Sequence, residues 1–195
     1  MFQKLDVSPR WRRSEAGFTL AEVLVCAVVI TTAFVALLTV IPYSAASTQS
    51  GNQMSTATFL ANQKLEEAKS IPWTLSVTGA VNDCLGLSNA PTVAPTVPGG
   101  FLCSLGGTTY AGGAALPWFA DEGSTQITSP DGNKHFNGYS RKTRITNCGL
   151  APGCGGITDP GMRLVSVSVT YLPMSTSSTA ASNRTVTVSM IIAQR

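Results

Sequence analysis

The chain has 195 residues, of which 44% are hydrophobic and only 12% charged, so it has room for one modest domain and an additional apolar segment. A single histidine, with no P-loop, no G-x-S-x-G, no metal-spaced cluster and no cofactor fingerprint, argues against an enzyme and against a bound cofactor. The formal charge of +3 is modest, and its uneven placement decides what it means.

Residues 1–17 carry Lys4, Arg10, Arg12 and Arg13 against Asp6 and Glu15. The next 24 residues, Phe18 to Ile41, are apolar apart from four threonines and one carboxylate, Glu22. At about 1.5 Å rise per residue such a helix crosses a hydrocarbon core of roughly 30 Å, so it is a transmembrane candidate. A basic flank ahead of a first apolar span keeps the N-terminus in the cytoplasm and sends the rest of the chain across. A secretory signal peptide fits less well: the apolar run is long, although "YSAAS" at Tyr43 to Ser47 keeps a cleavage site open.

Glu22 is costly in lipid, by at least a few kcal/mol on insertion scales. Arg12 and Arg13 lie nine or ten residues upstream, about 14 Å along a continuing helix, which is too far for an intrachain pair. Either the carboxylate snorkels to the interface from near the helix end, or it meets a partner on another molecule.

Gly17-Phe18-Thr19-Leu20-Ala21-Glu22, behind a short basic leader and ahead of an unbroken apolar run, resembles the processing site of type IV pilin-like proteins. The resemblance implies that prepilin peptidase cuts after Gly17 and methylates the new amino terminus, Phe18. It further implies that Glu22 pairs with the N-terminal ammonium of a neighbouring subunit. In a dry bundle such a pair is far stronger than in water and sets axial register, and a repeated head-to-tail contact that does not close generates a helical filament. The motif covers only about the first 25 residues after the cut, and Ala21 stands where a larger aliphatic residue is commoner in the family. Cys26 reads as a small packing residue within the helix.

Pro42 is expected to kink or interrupt the helix. Over residues 42–71, Met54, Ala57, Thr58, Ala61, Leu65 and Ala68 share one face at helical spacing, with Asn62, Gln63, Glu66, Glu67 and Lys69 mostly elsewhere. Glu66 and Glu67 read as a solvated face. "ANQKLEEAKS" resembles the end of the long helix in minor pilins and secretion pseudopilins, where that face packs on a small sheet. Pro72 stops the helix.

From Trp73 to Gly161 the chain is rich in Gly, Pro, Ser and Thr, includes "APTVAPTV", and reads as long exposed loop. Cys84, Cys103, Cys148 and Cys154 fall beyond the span, where an oxidising compartment permits disulfides. Of three pairings, Cys84 with Cys103 and Cys148 with Cys154 close the short loops. A zinc site is the alternative, without a C-x-x-C spacing to support it. "RLVSVSVTYL" and "RTVTVSMII" alternate strictly, with Val165, Val167, Val169 and Tyr171 on one face of the first and Val186, Val188, Met190 and Ile192 on one face of the second. Joined by "PMSTSSTAASN", they read as an antiparallel pair packed on the amphipathic helix, extended by a strand around Tyr139 to Asn147 after the turn "SPDGN".

Lys134, Tyr139, Arg141, Lys142 and Arg144 form a basic cluster, a candidate nucleic-acid contact. The leader holds four of thirteen basic and two of ten acidic residues, leaving nine against eight, a formal +1. That is too little for strong phosphate binding, and charges guarding a strand edge explain the cluster better. His135 in "GNKHFNG" reads as a solvated loop residue, and a Ser/His/Asp site built on it has no other support.

The expected fold is α+β: a leader over 1–17, a membrane or filament-core helix over 18–41, its amphipathic continuation over 42–71, and a disulfide-stapled sheet domain over 72–195. The resemblance implies a minor pilin or a type II secretion pseudopilin. Such a subunit sits in the bacterial inner membrane, single-pass with its C-terminal domain periplasmic, before entering a pilus or pseudopilus. Its partners would be prepilin peptidase, other pilin or pseudopilin subunits, the inner-membrane assembly machinery and membrane lipid. A signal-anchored adhesin or binding protein is the alternative of a different class.

Overall fold

The computed structural model describes residues 17–75, 81–129, 132–173 and 182–194. The chain divides into two units, Met1–Ser44 and Ala45–Arg195. The leader through residue 16, the middle of "SPDGN" and most of the "PMSTSSTAASN" connection lie outside the described residues. Helix α1, Leu20–Ser70, is 51 residues long. It continues through position 42, so the expected interruption is absent. One proline costs an interior helix about 3 kcal/mol, which the remaining ladder of a helix this long can absorb.

In the second unit the helix face is Ala57, Leu60, Ala61, Leu65 and Ala68, all buried. Met54, expected on this face, is 56% exposed, and Leu60 and the stem of Lys64 take core positions that the spacing did not assign. This face shares one core with Ile145, Val165, Val167 and Val169 and with Leu85, Val97, Leu116, Phe119 and Ile127.

The region read as loop holds more structure than its composition suggests. It contains β1 (Trp73–Leu75), β2 (Val81–Asp83), β3 (Leu102–Leu105) and β4 (Thr108–Ala111), followed by a 3-10 turn at Pro117–Phe119. The four strands form one sheet in chain order, antiparallel except for the parallel β2/β3 contact at Asn82 and Leu102. Strands this short give no usable alternation in sequence. Gly86 shows why the region is glycine-rich: its φ is +73°, and a Cβ there would run into Leu116 Cδ1 and lie 2.8 Å from the Thr96 carbonyl oxygen.

The second sheet has the order β5-β6-β7, with β5 at Tyr139–Asn147, β6 at Met162–Tyr171 and β7 at Arg184–Ala193. Both pairings are antiparallel and unbroken. The inward residues of β6 are fully covered, whereas Val186, Val188, Met190 and Ile192 of β7 are only half-buried. On the opposite face, hydroxyl pairs tie β6 to β7: Ser166 with Ser189 at 2.8 Å, Ser168 with Thr187 at 2.9 Å and Thr170 with Thr185 at 2.8 Å.

Disulfides join Cys84 to Cys103 and Cys148 to Cys154, the two short-loop pairs. Chain-entropy arguments give about 3 kcal/mol for a loop of the first length and about 2 kcal/mol for the second.

Candidate functional site

The apolar half of α1 begins with a built helix start. Thr19 precedes the first helical residue, its carbonyl accepts from Glu22 N at 3.0 Å and Val23 N at 3.2 Å, and its Oγ1 accepts from Glu22 N at 3.3 Å. Thr19 is therefore the N-cap, with Glu22 three positions on in the first turn, where a carboxylate complements the helix dipole. Gly17 and Phe18 lie ahead of the helix in non-helical backbone, and both are exposed.

Every residue from Gly17 to Ile41 is exposed, Phe18 by 78% and Leu20 by 83%. The threonines add little polarity to this surface. Thr31 donates its hydroxyl to the carbonyls of Ala27 and Val28, Thr32 to those of Val28 and Val29, and Thr39 to that of Ala36. With those hydroxyls returned to the helix backbone, the Glu22 carboxylate is the one strongly polar group left on the segment, and no described residue gives it a hydrogen bond or ion pair. The helix is long and apolar enough to cross a membrane. Cys26 is a free, exposed thiol on the same segment.

The basic cluster on β5 is a different object from the one its sequence suggests. Arg141 is buried; its guanidinium makes a two-point contact with Glu122, with Nη2 donating to Oε1 at 2.9 Å, while Nη1 donates to the Leu60 carbonyl of α1 at 3.0 Å. Arg144 grips Asp121 at 2.6 and 2.9 Å and donates to the Pro91 and Thr92 carbonyls. Hydrogen-bonded to Arg144, the Asp121 carboxyl is held below its ordinary range despite an opposing contribution from partial burial. Burial pushes the Tyr139 phenol upward. Glu122 and Arg141 also exchange both backbone hydrogen bonds, at 2.9 Å each, which closes that part of the β5 edge. The edge is thus covered by a pinned loop, and the arginines are the pins rather than free guarding charges. Lys142 and Lys134 remain exposed.

A buried pair that was not recognised in the sequence joins the two sheets. Arg163 on β6 donates to both Asp83 oxygens at 2.6 and 2.5 Å and to the Gly86 carbonyl at 3.0 Å, and its guanidinium lies 4.1 Å from the Trp73 ring centroid. Asp83 also accepts from Gly86 N at 2.8 Å. The available signal was periodicity: Arg163 shares the inward register of Val165, Val167 and Val169, so a cation there requires a buried acceptor.

His135 is exposed, Glu66 pairs with Lys69 on the exposed side of the helix, and half-buried Glu67 takes the ammonium of buried Lys64. Among the described residues no group of three or more His, Cys, Asp or Glu side chains is placed to hold a metal ion. Comparison with protein-family models, with curated proteins and with solved structures finds no match to this chain.

Proposed function

We propose that this chain is a structural subunit of a type IV pilus or pseudopilus, in the manner of a minor pilin. In this reading it is processed after Gly17, N-methylated on Phe18, and assembled through the helix from Phe18 to Ile41. The supporting observation is the surface of that segment: wholly exposed, apolar, with its threonine hydroxyls returned to the helix backbone and, in the first turn, one carboxylate without a partner among the described residues. A lipid-facing helix needs the apolar surface but gains nothing from Glu22, which costs at least a few kcal/mol there. A helix that moves from lipid into a bundle of like helices needs both, because the carboxylate then meets a cation brought by a neighbour. Cleavage after Gly17 would create an ammonium one residue ahead of the Thr19 cap, the cation that this reading pairs with Glu22 of a neighbouring copy. The inner membrane, the prepilin peptidase and a pilus or type II secretion assembly machinery are the setting and partners this reading requires. Nucleic-acid capture is not part of this reading, since Arg141 and Arg144 are committed to Glu122 and Asp121.

The test is Glu22→Ala in the native host, with the amounts of subunit measured in the membrane and in sheared or extruded filaments. Normal membrane levels with the subunit lost from filaments is the expected result. Undiminished incorporation would remove the assembly role of Glu22.

A further inference from the structure

The loop that leads into β5 reads Phe136-Asn137-Gly138-Tyr139, and its two ends are fixed while its middle is open. Phe136 N donates to the Ile127 carbonyl at 2.9 Å, and the Phe136 ring lies 6.5 Å from that of Phe59 on α1. Tyr139 starts β5; its ring lies 5.7 Å from that of Tyr171 on β6, and its hydroxyl donates to the Gln53 carbonyl of α1 at 3.5 Å. Between these anchors Tyr139 N closes a turn on the Phe136 carbonyl at 3.4 Å, with Gly138 as the third residue at φ +87°. Asn137 and Gly138 are both exposed, the Asn137 side chain bonds to no described residue, and a Cβ built on Gly138 would meet nothing within 4 Å. Asn137 is also the only asparagine in the chain that precedes a glycine. Asn82 and Asn147, by contrast, are held through their side-chain oxygens by Ser104 N and Gly149 N.

We propose that Asn137 is a site of spontaneous self-modification which the fold leaves open, and that its conversion loosens the start of β5. The Gly138 backbone nitrogen, giving up its proton to hydroxide, attacks the carbonyl carbon of the Asn137 side chain. A C–N bond forms, the bond to the side-chain nitrogen breaks, and that nitrogen takes up a proton and leaves as ammonia. One water molecule then opens the five-membered imide at either carbonyl, giving aspartate or isoaspartate. Water is the only co-reactant, and no oxidant or reductant enters. Asparagine is a thermolabile residue, and Gly138 has no side chain to shield its nitrogen. The one hydrogen bond that must be released runs from Gly138 N to the carbonyl of exposed Ser124, at 3.2 Å. Either product adds a carboxylate to the loop that carries Lys134 and His135. Isoaspartate in addition routes the backbone through the side chain and inserts one carbon between Phe136 and Tyr139. Both anchors are set on α1, so the turn or Tyr139 must take up the added length, and the first rungs of β5 weaken. The chemistry does not rest on the filament reading.

The experiment ages the full chain in detergent at neutral and mildly alkaline pH and follows the tryptic peptide 135–141, which holds Asn137 and no other asparagine. Digestion at mildly acidic pH suppresses conversion during handling, and a fresh sample sets the zero. This peptide is expected to gain the mass of an amide-to-acid exchange ahead of every other asparagine peptide, to split into two isomers, and to convert faster as pH rises. Asn137→Gln should leave it unchanged over the same period. In urea unfolding, fresh Asn137→Asp carries the charge without the inserted carbon and should match the fresh parent chain, while the aged chain unfolds at lower urea. A folded chain that keeps Asn137 intact while the urea-unfolded chain converts would show that the fold shields the site, and would overturn the proposal. Conversion of Asn133 or Asn147 at an equal rate would overturn it as well. Equal midpoints for aged and fresh chains would overturn the effect on β5.

Discussion

Replacing Arg163 by methionine removes the cation from a carboxylate with no exposed surface, and the structure sets the size of the loss. Asp83 is 0% exposed and Arg163 6%, the pair is bidentate, and the guanidinium also serves the Gly86 carbonyl and covers Trp73. Breaking such a pair from one side leaves a buried charge with only the Gly86 amide for company, at a cost of about 3–5 kcal/mol. Domains of this size are stable by about 5–15 kcal/mol, so a large part of the population unfolds under mild stress. Asp83→Asn strands the guanidinium in the same way, whereas the double variant Asp83→Asn/Arg163→Met leaves no unpaired charge. The double variant should therefore lose clearly less than the sum of the two singles, a coupling in the range of about 0.5–3 kcal/mol seen for contacting residues. Urea unfolding of the full chain in detergent, followed by tryptophan fluorescence, reads all four corners of the cycle; Trp73 is a reporter within the site. A loss below about 1 kcal/mol for Arg163→Met, the behaviour of a solvent-exposed pair, or strict additivity would refute the reasoning.

Gly86→Ala forces a side chain into Leu116 Cδ1 and the Thr96 carbonyl at a positive φ, and should lower stability by about 1–3 kcal/mol in the same urea assay, with Gly100→Ala, also at positive φ but with open space around its Cβ, losing less. Asp121 titrates below its ordinary value in the folded state because of Arg144. Its contribution to stability is therefore present above the ordinary carboxylate range and disappears as pH falls through the lowered value. Asp121→Asn should flatten the acid side of the stability-against-pH curve and leave its neutral side lower; an unchanged acid limb would show that the pair is screened away.

The parts of the fold legible in sequence are those with long, regular patterns. β5, β6 and β7 have nine or ten residues each, enough for alternation to declare both strand and buried face, and Ala57 to Ala68 declares the packed side of α1. The sheet β1–β4 left no such trace because its strands have three or four residues and are held by a disulfide, an Asn82 side chain bonded to Ser104 and turns at glycine. Burial of an arginine is not legible locally, because it depends on a carboxylate far away in sequence: Asp83 is 80 residues from Arg163, and Glu122 is 19 from Arg141. The candidate assembly segment was legible as an apolar run with one carboxylate. What the structure adds there is the Thr19 cap and the return of the threonine hydroxyls to the backbone, both matters of local geometry.

Under the proposed function, the mature chain begins at Phe18 and enters a filament through its N-terminal helix. Intact mass and N-terminal sequencing of the protein from its native membranes test it most directly. The expected result is a chain starting at N-methylated Phe18. A chain starting at Met1, or anywhere beyond Ile41, would contradict it and leave an anchored or secreted binding domain as the better description.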